Sequence, residues 1–130
     1  MRYVTYIKKN RRTGRVYVGR SFGTGDPRSI VANRDRNHHM TAQGYGPAVL
    51  DQSATATLPR TARWLDPAYQ AIRGREQQLI DRHGGARSDH RPGSRSGNAI
   101  RGVAKDNRLG RVYDAMATMR FGRAAPYTGH

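Results

Sequence analysis

The sequence predicts an α+β domain, and three observations carry that expectation. Two runs rich in β-branched and aromatic residues, 3–7 and 16–21, flank a basic turn at 11–14. A third strand is expected over 48–55. Two Asp-Pro pairs, Asp26-Pro27 and Asp66-Pro67, each open a stretch that reads as helical, because Asp caps free amides and Pro suits the first helical position. The order is strand, strand, helix, strand, helix. A chain of 130 residues is expected to form one domain, 1–130, with a modest core.

The elements follow in order. If a loop over 10–13 closes the hairpin, Tyr6 falls opposite Tyr17 and Ile7 opposite Val16. Facing residues share a side of a sheet, so Thr5, Ile7, Val16 and Val18 form a core face. The other face carries two phenols beside Gly19. The first helix is expected to run from Pro27 through His38, with Ile30, Arg34 and His38 recurring every fourth residue along one side. Gly44 to Pro47 breaks the pattern before the third strand, and 58–63 is a connection without a period.

The second helix is expected over 68–83, closed by Gly84-Gly85. Its apolar stripe is Tyr69, Ile72, Leu79 and Ile80, with Glu76 in the gap. Burying an unpaired carboxylate is costly, so Glu76 has a function, or pairs with Arg73 or Arg75, or sits at the stripe's edge. Residues 86–97, rich in Arg, Ser, Gly and Asp, predict a mobile basic loop that can serve as a phosphate arm. A short ordered segment follows at 96–103, then a helix over 111–121 with Val112, Met116 and Met119 on one side. The tail, 123–130, is expected to be extended or frayed.

Charge bounds the partner. The chain has 24 basic against 9 acidic residues, a net charge of +15, and only Lys8, Lys9 and Lys105 are lysines. Arginine's planar fork matches phosphate oxygens and stacks on bases, so a nucleic acid is the favoured partner over a membrane surface or an acidic protein. There is no cysteine, which excludes disulfides and thiolate metal sites. No run is apolar enough for a bilayer span or signal peptide, so export would depend on something outside this sequence.

Phosphodiester hydrolysis needs an activated water, a cation for the developing charge and help for the leaving oxygen. Glu76 can hold one hard divalent ion, Mg²⁺ or Mn²⁺, which keeps several waters. Arg34 can hold the scissile phosphate bidentately, with Arg20 and Arg36 as competitors for that role. His38 can pass a proton, and Tyr6 and Tyr17 can orient water, one of them acting as base if cations lower its pKa. Arg95 and Arg101 are further candidate substrate contacts.

These residues resemble the GIY-YIG nuclease superfamily. Val4-Thr5-Tyr6 stands where that family has Gly-Ile-Tyr, and Tyr17-Val18-Gly19 where it has Tyr-Ile-Gly. Arg34 with His38 matches its helical Arg-x-x-x-His pair, Glu76 its metal-binding glutamate, and Asn98 a polar residue near its site. Val4-Thr5 departs from the first motif, and a basic loop is inserted between Glu76 and Asn98. Over about residues 3–103 the resemblance implies a three-stranded antiparallel sheet flanked by helices, and one-metal hydrolysis of DNA.

A narrower resemblance lies in Arg73 to Asp81 with Gly84-Gly85, and in Ser96 to Gly102. These stretches are similar to C-terminal nuclease domains of bacterial polymorphic toxins, such as Rhs-type and type VI secretion effectors. That implies delivery within a larger secreted toxin, action in a target cell's cytoplasm, and an acidic cognate immunity protein. The rival readings are a basic nucleic-acid-binding module without catalysis, the same fold acting on RNA, and a metal site at His38-His39. A zinc site from His83 and His90 near Asp81 and Asp89 is a further one, although adjacent helical histidines diverge by roughly 100° and loop histidines are commonly solvated.

Overall fold

The computed structural model describes residues 1–129. Strands β1 (Arg2–Lys9), β2 (Val16–Gly23) and β3 (Val49–Thr55) form one antiparallel sheet in the order β2-β1-β3. Helices α1 (Pro27–Asp35), α2 (Pro67–Arg82) and α3 (Gly110–Phe121) complete an α+β fold, with short 3-10 turns at Thr41–Gln43, Arg60–Leu65 and Arg87–Asp89. No helix among the described residues is long and apolar enough to cross a membrane.

β1 is the central strand and is buried from Tyr3 to Lys8, because helices cover both faces of the sheet. On one face Ile7, Val16 and Val18 pack against Leu79 and Ile80 of α2, and a second cluster joins Tyr3 to Tyr69 and Ile72 of the same helix. On the other, Val4 and Tyr6 pack against Ile30 and Val31 of α1. The expected core face is therefore present, and the phenol face is covered as well.

The hairpin register differs from the expected one. Tyr6 pairs with Gly19, and Tyr17 with Lys8, because the loop spans 10–15 rather than 10–13. Asn10 holds this longer loop: its Oδ1 accepts from the amides of Arg12 and Thr13, and Gly14 turns at φ 73°. The displacement is one full pleat repeat, so every side chain keeps its face and both tyrosines stay on the same side.

Both Asp-Pro starts are realised, with Asp26 accepting from Arg28 N and Asp66 from Ala68 N. α1 stops sooner than expected, capped at Arg36, so His38 lies beyond the helix. The Asp35 carboxylate accounts for the stop. It binds Lys8 Nζ and accepts from Ala48 N, tying the helix end to β1 and to the chain entering β3.

α2 lies between the sheet and α3, so most of its surface is enclosed. Gly74 makes that possible, since a Cβ there would overlap the Tyr113 carbonyl of α3. Polar side chains on α2 find buried partners: Arg75 grips Asp51 of β3 through Nε (2.9 Å) and Nη2 (3.0 Å), and Gln77 Oε1 accepts from Val103 N.

The stretch expected to be a mobile loop is stapled to the sheet at its far end. Val16 N donates to Arg95 O (2.8 Å) and Gly97 N to Val16 O (2.7 Å), which covers the start of the free edge of β2. The tail is also held rather than frayed: Ala124 and Tyr127 pack on the core, and Tyr127 N donates to His83 Nε2 (3.0 Å). His130, the last residue of that expectation, lies outside the described residues.

Candidate active site

The site forms where β1 and the edge strand β2 meet the end of α1 and the middle of α2. Tyr6 and Gly19 are cross-strand partners, and the Tyr6 ring lies over Gly19, where any Cβ would overlap it. This contact buries Tyr6 completely, at 0% exposure, while Tyr17 stays partly open.

Tyr6 Oη lies 2.8 Å from His38 Nε2, and Met40 N donates to His38 Nδ1 at 3.1 Å. Because Nδ1 accepts, the proton of neutral His38 sits on Nε2 and is donated to Tyr6 Oη, which leaves the phenol's own hydrogen free. Burial, with Arg34, Lys8 and His39 nearby, pulls the His38 pKa down to about 4, so the ring is neutral at pH 7. Tyr17 packs edge-on against both His38 and His39. Burial raises the pKa of both tyrosines, with Glu76 adding to the rise and Arg34 opposing it.

Glu76 is buried, and its Oε1 accepts from Arg20 Nε at 3.1 Å. The ion pair weighed in the sequence thus exists, but with Arg20 and not with its helix neighbours. Arg73 Nη2 donates to Gly102 O and Arg75 is spent on Asp51. Burial still pushes the Glu76 carboxyl up, against the pull of Arg20 and Arg73. Gly102 stands against the carboxylate so closely that a Cβ there would collide with Oε1. Oε2 accepts no hydrogen bond among the described residues.

Arg34 lines a cleft of about 460 Å³ along the edge of β2. Arg20, Arg60 and Arg63 line it too, with the rings of Phe22 and Tyr69. No carboxylate faces the cleft, and Arg34 is paired with no acidic group among the described residues. Arg60 stacks on Phe22, its guanidinium carbon 3.6 Å from the ring centre. Burial favours the protonated Tyr69 phenol, but the guanidiniums of Arg20, Arg63 and Arg73 outweigh it and hold the pKa below normal.

Tyr6, Tyr17, Arg34, His38 and Glu76 therefore share one region, but the other candidates are placed differently. Arg20 is the partner of Glu76 rather than a free substrate contact. Asn98 spends its amide on β2, with Oδ1 accepting from Val18 N (2.9 Å) and Nδ2 donating to Val18 O (2.8 Å), so it braces the strand. Arg101 is held by Asp89 (3.2 Å) and donates to Val103 O. Arg36 is exposed at the end of α1 and reaches Asn33, and Arg95 is exposed beside the β2 edge.

Sequence reading missed Arg60, Arg63, Phe22 and Tyr69. Their spacing gave no signal, because the backbone between Arg60 and Arg63 kinks at Ala62 (φ -116°, ψ 22°) and follows no regular period. His38 uses both ring nitrogens, and so does His83, whose Nδ1 donates to Leu79 O. No group of three His, Cys, Asp or Glu side chains gathers among the described residues. No family model, no curated protein and no solved structure matches the chain.

Proposed function

We propose that the protein is a metal-dependent endonuclease that hydrolyses DNA phosphodiester bonds. The observation that supports it best is a buried carboxylate, Glu76, paired with Arg20 of a carboxylate-free arginine cleft, its charge and that of Arg34 both acting on Tyr17 and on Tyr6, the partner of His38.

Glu76 fits a divalent ion as a single protein ligand. One of its oxygens is engaged and the other is available, and Mg²⁺ or Mn²⁺ accepts one or two carboxylates and otherwise keeps water. Such an ion supplies charge stabilisation at the phosphate and acidifies bound water. Arg34 takes the scissile phosphate. Tyr17, the more exposed phenol, orients the attacking water, while His38 fixes Tyr6 as a donor whose hydrogen points away from the imidazole. Burial keeps both phenols protonated at neutral pH, and Tyr17 is the one with surface open to orient water.

The resemblance to GIY-YIG nucleases in polymorphic toxins extends the proposal to a toxic effector domain, active in a target cell and blocked by an acidic immunity protein over the cleft. The test is supercoiled plasmid with Mg²⁺, with EDTA, and with Glu76→Ala. Cleavage that needs the metal and Glu76 supports the reading. Intact plasmid with full DNA affinity makes the protein a binding module, and degradation of total RNA alone moves the substrate to RNA.

A further inference from the structure

We infer that the cleft between the β2 edge and the Arg60–Leu65 turn is a nucleotide subsite, which holds one unstacked nucleotide of the substrate strand beside the phosphate bound by Arg34. This rests on the nuclease reading for its place in a reaction, but the binding chemistry stands on its own.

The cleft's volume, about 460 Å³, exceeds what a lone phosphate needs and lies in the range of small-ligand sites. Its chemistry divides by position. Arg60 and Arg63 reach the cavity from either side of a backbone kink at Ala62, and no acidic residue lines it to neutralise them. Two guanidiniums so placed suit a phosphate.

Arg60 stacks over the centre of one face of Phe22, which is still 44% exposed, so the guanidinium plane and the uncovered surface of the ring are offered to a base. Aromatic and arginine planes are what unpaired bases stack on. Tyr3 also lines the cavity, and its buried hydroxyl has no hydrogen-bond partner. A buried orphan hydroxyl is costly unless something pairs with it, and a sugar or base edge supplies that partner. Tyr69 Oη receives Arg20 Nη1 at 3.4 Å, which ties the subsite to the Glu76 ion pair.

Trp64 provides the probe. It is the only tryptophan, belongs to the same turn as Arg60 and Arg63, and is 55% exposed. The intact protein in EDTA is titrated with deoxythymidine 3′,5′-bisphosphate and, separately, with inorganic phosphate, read by Trp64 fluorescence and by calorimetry. Saturable bisphosphate binding is expected, tighter than phosphate, weakened at least about tenfold in Arg60→Ala/Arg63→Ala. Phe22→Ala is expected to weaken the bisphosphate and leave phosphate unchanged.

Equal affinity for bisphosphate and phosphate overturns the subsite, as does equal affinity in wild type and the double variant, or no heat and no fluorescence change. The outcomes separate from those of the nuclease test. A protein that binds the bisphosphate but leaves DNA intact keeps the subsite and loses the nuclease reading. One that cuts DNA but does not bind the bisphosphate loses the subsite alone.

Discussion

At the scale of single residues, the buried histidine and glutamate set opposite pH behaviour. His38 has a folded pKa of about 4 against an ordinary 6.5, so the unfolded chain binds its proton first as pH falls. Its contribution is complete above pH 6.5 and is lost as pH falls through about 4. The difference between the two values sets an upper bound of roughly 3–4 kcal/mol. Urea denaturation of wild type and His38→Gln between pH 7 and 4 checks this: the gap between the two should narrow across that window, and a constant gap rules it out. Glu76 has the reverse sign. Its raised carboxyl pKa means that the folded state favours the neutral form, so ionisation weakens the fold as pH rises above the ordinary carboxyl value, and the loss is complete above the folded one. Glu76→Gln is therefore expected to abolish cleavage while leaving the melting temperature at pH 7 equal or higher. The gain should disappear below the ordinary carboxyl pKa, and Arg20, partly open to water, can solvate when its partner is removed. A large fall in melting temperature would make Glu76 a structural residue. Much of this residue set was legible in the sequence, because Tyr6, Tyr17, Arg34, His38 and Glu76 stand out by type and order. Partners were not legible. Nothing in the chain indicates that Arg20 reaches Glu76 across 56 positions, or that Asp51 rather than Glu76 takes Arg75.

At the scale of elements, glycines decide which surfaces can meet. Gly19 lets the Tyr6 ring cross β2, and Gly74 lets α3 lie on α2. Gly74→Ala sets two effects against each other. Helix propensity favours alanine by about 1 kcal/mol, whereas the added Cβ meets a backbone carbonyl of α3 that cannot rotate away. Overpacking typically costs about 1–3 kcal/mol, so net destabilisation is expected, with faster hydrogen exchange concentrated in α3. A more stable Gly74→Ala protein would mean that the helices separate readily. Gly19→Ala is expected to lower stability by a similar ~1–3 kcal/mol and to reduce cleavage more than Gly74→Ala, since it displaces Tyr6 from His38. Plasmid cleavage at matched folded fraction separates the two. Element starts were legible because Asp-Pro acts locally, through an amide cap and a fixed φ. The end of α1 was not, since Asp35 stops it by binding Lys8 and Ala48, which are distant in sequence. Register failed for a related reason: Asn10 lengthens the turn through two side-chain bonds that periodicity does not encode.

At the scale of the whole molecule, a net charge of +15 favours an anionic partner but does not say where one would bind. Composition singled out the Arg-rich loop at 86–97 as the phosphate arm, and passed over the Arg60–Leu65 turn as featureless. The fold gathers Arg60 and Arg63 with Arg34 around one cleft, while the loop spends its backbone from Arg95 onward on the edge of β2. Deleting the loop would therefore expose that edge and confound binding with folding. Point substitutions avoid this, because Arg87, Arg91 and Arg95 are exposed and only their charge would be removed. Removing one phosphate-binding side chain should reduce the slope of log affinity against log salt by about one. Arg60→Ala/Arg63→Ala is expected to reduce the slope for duplex DNA by about two, and also to lower the cleavage rate at saturating DNA, since the nucleotide beside the scissile phosphate loses its seat. Arg87→Ala/Arg91→Ala/Arg95→Ala is expected to reduce the slope while leaving the saturated rate unchanged, because none of those side chains lines the Arg34 cleft or bonds Glu76. If the loop variant slows the saturated rate and the cleft variant does not, the strand runs over the 86–97 loop, and the orientation proposed for DNA on this surface is reversed.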